Sequence, residues 1–236
     1  MLDIKDIQPK NDKSNLNIKA RKRRQKKIRE SIKNRINRNI EIMKNADVIF
    51  GLDNGATGTI SCIVPYDESN CDIYFDKTFA NLENDYQKDS QKIARIDWEK
   101  LKKWFEKIIK KSKSIYYKKY NKKEIKISIV LERPMINVER FKQSKNAARA
   151  FESTLVVIEM LKLKNNYIII DSKKWQHYFF GKHTVSLNLK EESKNKGIEY
   201  LNSINHKKYK SFCNLINAHG DADSLLICKF ALEKLR

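Results

Sequence analysis

Two apolar, largely β-branched runs in this chain end in an acid: Val48-Ile-Phe-Gly-Leu leads into Asp53, and Ile127-Ser-Ile-Val-Leu leads into Glu132. Each run has the length and composition of a buried strand. A buried strand has no structural need to finish in a charge, because desolvating a carboxylate is costly. Two such endings therefore direct attention to a shared site. Asp53 is followed by Asn54-Gly-Ala-Thr-Gly58, a glycine-bracketed turn that lets another group approach closely, and Glu132 is followed by Pro134, which stops its strand. A third acidic group lies in His219-Gly-Asp-Ala-Asp223-Ser-Leu-Leu, at the start of a helix whose Leu225, Leu226 and Phe230 turn inward.

The segments between these acids set the fold class. Residues 59–65 and 71–79 read as two further strands, which makes an antiparallel meander with the first. From Asp97, a helix N-cap, the period becomes helical, with Trp98, Leu101, Phe105, Ile108 and Ile109 on one face. A second helix is predicted over 144–163, with Ala147, Phe151, Leu155, Ile158 and Leu161 inward, and a fifth strand over 167–171. Ser172 reads as the N-cap of a short helix, and helices are predicted over 189–204 and 220–235. Alternating strand and helix in the second half requires parallel strands with crossover helices. The expected fold is α/β: a mixed five-stranded sheet, three antiparallel strands then parallel ones, flanked by helices.

Charge adds a partner. The 236 residues carry 50 Lys and Arg against 29 Asp and Glu, a net charge of +21. A field of that size draws in phosphate backbones. Fifteen of the bases and only five of the acids fall within residues 1–45. The run at 19–27 (KARKRRQKK), which includes Arg21, Arg23 and Arg24, is either a disordered arm or a solvated helix. Ile28, Ile32, Ile36 and Ile40 recur every fourth residue and predict a helix over 27–43 with one apolar stripe. The chain thus divides into a basic extension, 1–45, and a main domain, 46–236. No run of about 18 apolar residues is present, and Asp3 and Asp6 stand where a signal peptide would be basic and then apolar. A soluble, cytoplasmic protein with no membrane partner is expected. Cys62, Cys71, Cys213 and Cys228 form no C-x-x-C pair and read as core thiols.

Carboxylates gathered around one point can hold two Mg²⁺ ions roughly 4 Å apart, which together activate water and stabilise a leaving oxygen at phosphorus. Arg140, Phe141, Lys142, Lys145 and Arg149 follow the Glu132 strand, and Lys173 and Lys174 follow the fifth strand at the same sheet edge. Their cations are candidates for a phosphate backbone, and Phe141 for stacking on an unpaired base or for the helix core. His177, His183 and His206 are assigned structural roles.

Four blocks in order, Gly51-Leu-Asp-Asn-Gly-Ala-Thr-Gly-Thr-Ile60, Val130-Leu-Glu-Arg-Pro134, Ile170-Asp-Ser-Lys-Lys-Trp175 and Gly220-Asp-Ala-Asp-Ser-Leu-Leu-Ile227, resemble the motifs of RuvC-like Holliday junction resolvases, in particular the phage-type and plastid branch. The resemblance implies an RNase H-like fold and a homodimer. It also implies a magnesium-dependent endonuclease, with Mn²⁺ as substitute, that makes paired cuts across four-way DNA junctions and leaves 5′-phosphates and 3′-hydroxyls. Asp53, Glu132 and Asp223 match the family's metal-binding carboxylates. The fourth ligand is His219, favoured on spacing, or Asp221. Asn54 stands where the family commonly has proline, and the basic extension is outside the family core, which opens a broader set of branched DNAs as substrates. Two other classes fit parts of the sequence: an actin-like or sugar-kinase-like ATPase, for the Asp53 turn alone, and a non-catalytic nucleic-acid-binding protein, for the basic extension alone. If several phosphates are gripped together, DNA affinity should fall steeply with salt, log K dropping by about 0.9 per contact for each decade. Fluorescence anisotropy between roughly 50 and 200 mM salt measures this, and a flat profile would contradict the assigned role of the cations.

Overall fold

A computed structural model describes residues 12–53, 55, 57–67, 70–85, 88–136, 139, 141–181 and 188–236. Arg140, Asn54 and His183 lie outside the described residues, as do the side chains of Arg21, Ile36 and Phe141. The chain forms two compact units, Met1–Glu41 and Ile42–Arg236.

The described residues of the first unit belong to helix α1, Asp12–Met43, up to Glu41. Of the two states open to the basic run, this is the helical one: residues 23–34 are all exposed, Arg23 and Arg24 among them. The apolar stripe is exposed as well, with Ile28 at 49 %, Ile32 at 42 % and Ile40 at 56 %.

The second unit is built on a five-stranded sheet in the order β3-β2-β1-β6-β7. Its strands are β1 (Val48–Leu52), β2 (Thr59–Pro65), β3 (Cys71–Lys77), β6 (Ile127–Glu132) and β7 (Tyr167–Ile170). β1 to β3 are antiparallel, while β6 runs parallel to β1 and β7 parallel to β6. This is the mixed sheet anticipated above. Every residue of β1 and β2 is buried because helices cover both faces. On one face Val48, Phe50, Leu52, Ile129 and Leu131 meet Leu101 and Phe105 of α2 (Trp98–Tyr120) and Val157 of α3 (Phe141–Met160). On the other, Ile49, Ile63 and Val130 meet Trp175 of α4 (Ser172–Phe180), Leu201 and Ile216 of α5 (Leu189–His219), and Leu226 and Ile227 of α6 (Asp223–Lys234).

Three features depart from the sequence-based expectations. A hairpin of β4 (Ala80–Asp85) and β5 (Lys88–Ile96) forms a separate two-stranded sheet before α2. Its strands are charge-rich and bury Ile93, Ala94 and Ile96 but leave Leu82 exposed, so no clean alternation marks them. Asp171 rather than Ser172 is the N-cap of α4, and Ser172 is its first residue. Finally, α5 continues to His219 across a break at Asn205, where the backbone is extended and the side-chain carbonyl accepts from Lys208 N at 3.0 Å. That bond caps the second stretch in the manner of an N-cap. Asp97 does cap α2, accepting from Lys100 N at 3.0 Å. No helix among the described residues is long and apolar enough to cross a membrane.

Close approach of α6 to the sheet depends on Gly51. A β-carbon there would lie 2.5 Å from Ser224 O and 2.7 Å from Cys228 Sγ. Substituting Gly51→Ala should therefore overpack this layer and destabilise by at least about 1–3 kcal/mol, read from the urea midpoint; an unchanged midpoint would mean that the helix shifts freely.

Candidate metal centre

The parallel register pairs Leu52 with Leu131, so Asp53 and Glu132 leave the sheet side by side at the carboxyl ends of β1 and β6. The turn after β1 is tight: Gly58 N donates to Gly55 O at 3.0 Å, and Gly55 N donates to Asp53 Oδ1 at 3.2 Å. A β-carbon at Gly58 would collide with the backbone oxygen of Asp53 and come within 2.8 Å of its Oδ2. The glycine is required because the chain folds back over this carboxylate.

Helix α6 brings the remaining acids. Ser61 and Ser224 share a hydrogen bond of 2.6 Å, and Ser224 N donates to Thr59 Oγ1 at 3.3 Å, which fastens the start of α6 to β2. Asp221, buried just before this helix, accepts from Thr59 Oγ1 at 3.3 Å and from Asp223 N at 2.8 Å through one oxygen, Oδ1. As a result, ligand oxygens of Asp53, Asp221 and Asp223 all lie within 4.8 Å of one another. Glu132 stands outside that group but within its field. Burial and the charges of Asp53 and Asp223 push its carboxyl up to about 8, against the lowering effect of a hydrogen bond from Trp175.

The other carboxyls respond in the same sense. Burial, then the charge of Asp221, push Asp53 up to about 7, opposed by the Gly55 N–H and by Lys190. Burial and Asp221 also raise Asp223, opposed by a hydrogen bond from Ser193 and by Lys190. Like charges so close in a desolvated place are unfavourable unless a cation or protons intervene. All the donors in the group are carboxylate oxygens, the set that a hard divalent cation such as Mg²⁺ or Mn²⁺ selects.

The remaining candidates fall elsewhere. His219 Nε2 lies 2.8 Å from the carbonyl oxygen of Thr57. A carbonyl only accepts, so this nitrogen carries the proton and is turned to the β1–β2 turn. Lys142, Lys173 and Lys174 are exposed. Lys145 and Arg149 are half-buried along α3, and Arg149 lines a groove with Glu83, Arg95 and Glu152.

Three residues at the centre were not anticipated. Trp175 donates from Nε1 to Glu132 Oε2 at 3.0 Å, Ser193 donates to Asp223 Oδ1, and Lys190 supplies the nearby positive charge. Trp175, Phe180, Lys190, Asp221 and Asp223 line one cavity of about 240 Å³. Trp175 had a signal, four residues past a strand-ending acid. Ser193 and Lys190 had none, because their helix reads as an ordinary amphipathic one.

Because the folded state raises these carboxyl pKa values, the stability they contribute is complete below the ordinary carboxylate range and is lost as pH rises through about 7 to 8. In EDTA the protein should therefore melt lower at pH 8.5 than at pH 5.5, by roughly 2–4 °C per kcal/mol lost. Asp53→Asn should narrow that gap, and Mg²⁺ should raise the melting temperature more at the higher pH. Thermal melts of both proteins check this, and an equal gap in the two would contradict the electrostatic account.

No family model matches the sequence, and no curated protein does. Among solved structures, the chain is similar to T. thermophilus RuvC in complex with Holliday junction substrate, with 11 % sequence identity, coverage of 75 % of this chain and 91 % of that one, and a TM-score of 0.37.

Proposed function

We propose that this protein is a divalent-metal-dependent endonuclease that cuts branched DNA, four-way junctions foremost, as a homodimer. The observation that carries the reading is the clustering of Asp53, Asp221 and Asp223, with Glu132 in their field, at the carboxyl ends of two neighbouring parallel strands. A structural role would disperse such charges. The four ordered motifs, which resemble those of the phage-type and plastid branch of RuvC-like resolvases, support the same assignment.

Asp53, Asp221, Asp223 and Glu132 would hold two magnesium ions. When bound, such ions lower the pKa of water and neutralise charge developing on a phosphodiester. In this reading Asp221 takes the fourth ligand position and His219 holds the β1–β2 turn through Thr57, because only Asp221 joins the carboxylate group. The reaction would be hydrolysis of a phosphodiester by water. The incoming oxygen bonds to phosphorus, the bond from phosphorus to O3′ breaks, and the proton lost by water balances the one gained by O3′, leaving 5′-phosphate and 3′-hydroxyl ends.

Substrate reaches this acidic centre through the long-range field of the other residues, at +21 overall. Arg23 and Arg24 on the exposed helix of the 1–45 extension, with Arg21, are assigned to phosphates, as are Arg140, Lys142, Lys145, Arg149, Lys173 and Lys174 of the 46–236 nuclease domain, while Phe141 is assigned to stacking on an unpaired base or to the helix core. DNA recombination and repair in the cytoplasm, or in the host-cell compartment of a virus, is the setting this activity fits.

The test uses labelled four-way junctions, flaps and plain duplex in Mg²⁺. Junctions should be cut in preference to duplex, and Asp53→Asn should reduce cutting by more than the roughly 10–100-fold that loss of an outer partner of a metal ligand costs. Cutting that survives the substitution, or hydrolysis of ATP with no cleavage of DNA, would sink the proposal.

A further inference from the structure

Glu132 and Asp223 are each met by a buried donor from a neighbouring helix, Trp175 of α4 and Ser193 of α5. Trp175 is 1 % exposed, its ring packs edge-on against Phe180 at 6.3 Å, and its Nε1 points at Glu132 Oε2 at 3.0 Å. An indole N–H in such a place costs stability if left unpaired, so the packing of α4 dictates where one oxygen of Glu132 must be. Ser193 is also 1 % exposed and gives its single proton to Asp223 Oδ1. Its position follows from the packing of α5 on α6. Gly197, one turn along the same face, lies so close to Ala222 that a β-carbon there would be 2.5 Å from the alanine's own. That contact sets Ser193 against the first turn of α6.

We propose that Trp175 and Ser193 are positioning residues that orient Glu132 and Asp223 toward a divalent cation. Each fixes one oxygen of its carboxylate and so limits the orientation of that carboxylate beside Asp53 and Asp221. The inference rests on the reading of the acid cluster as a metal site. The sequence offers Trp175 only as the end of a motif block; the hydrogen bond gives it a role at the site.

The experiment is calorimetric titration of the full chain with Mn²⁺, comparing wild type, Trp175→Phe, Ser193→Ala and Ser193→Thr, with the metal-free melting temperature of each. Affinity should fall about 10–100-fold in Trp175→Phe and Ser193→Ala and recover in Ser193→Thr, which keeps the hydroxyl. A merely structural role would move the melting temperature and leave Mn²⁺ affinity unchanged; that result overturns the inference. Should Trp175→Phe not fold, Ser193→Ala decides alone, since it removes a single oxygen. A wild type that binds no Mn²⁺ overturns the metal-site reading and this inference with it, whereas a wild type that binds while both variants bind equally well overturns only this one.

Discussion

Helix α6 lies on β1 because position 51 carries no side chain, and the site is a consequence of that contact. With Ser224 O and Cys228 Sγ occupying the space where a β-carbon would be, the start of the helix is drawn level with the carboxyl end of the strand. The hydrogen bonds of Thr59 and Ser61 to the helix start fix its rotation and depth. Asp221 and Asp223 are then committed to the neighbourhood of Asp53. Cys228, buried against the same strands and with its thiol 3.4 Å from Ile49 O, fills what remains of the gap.

This arrangement is locally unfavourable and globally tolerated. Acids are desolvated together, and the protein offsets only part of the cost with the Gly55 N–H, Trp175, Ser193 and Lys190. The two apolar clusters on either side of the sheet supply the stability that permits it. A strained or charge-frustrated site inside an otherwise consistent fold is the pattern expected where chemistry is done. There is also a contrast of scale: the chain as a whole is strongly cationic and the centre is anionic. A polyanion attracted by the first can enter the second only with cations between them.

Much of the fold was legible because its signals are local. Buried strands announce themselves as apolar runs, Asp97 announces α2, and the order of strands and helices in the second half requires parallel pairing. The β4–β5 hairpin was not legible, since its strands form their own small sheet and expose much of their surface, which removes the alternation on which a strand assignment depends. The length of α5 was hidden by Asn205, whose side chain restarts the helix from an extended residue that reads as an end. Trp175 was legible as part of a motif block but not as a donor, because a hydrogen bond to a residue 43 positions away leaves no trace in spacing.

From the sequence alone came the α/β class, the strand-ending acids Asp53 and Glu132, the acidic start of the last helix, and the cationic balance that points to a polyanion. These follow from composition and period, which act over a few residues. Only the tertiary structure decided which side chains meet. His219 and Asp221 are two residues apart on either side of Gly220, whose left-handed backbone, at φ 74°, reverses the chain. The histidine is thereby turned to the carbonyl of Thr57 and the aspartate to Asp53 and Asp223. Spacing along a chain cannot encode that outcome, because the direction in which a side chain leaves a turn is set by the strands and helices that hold the turn in place.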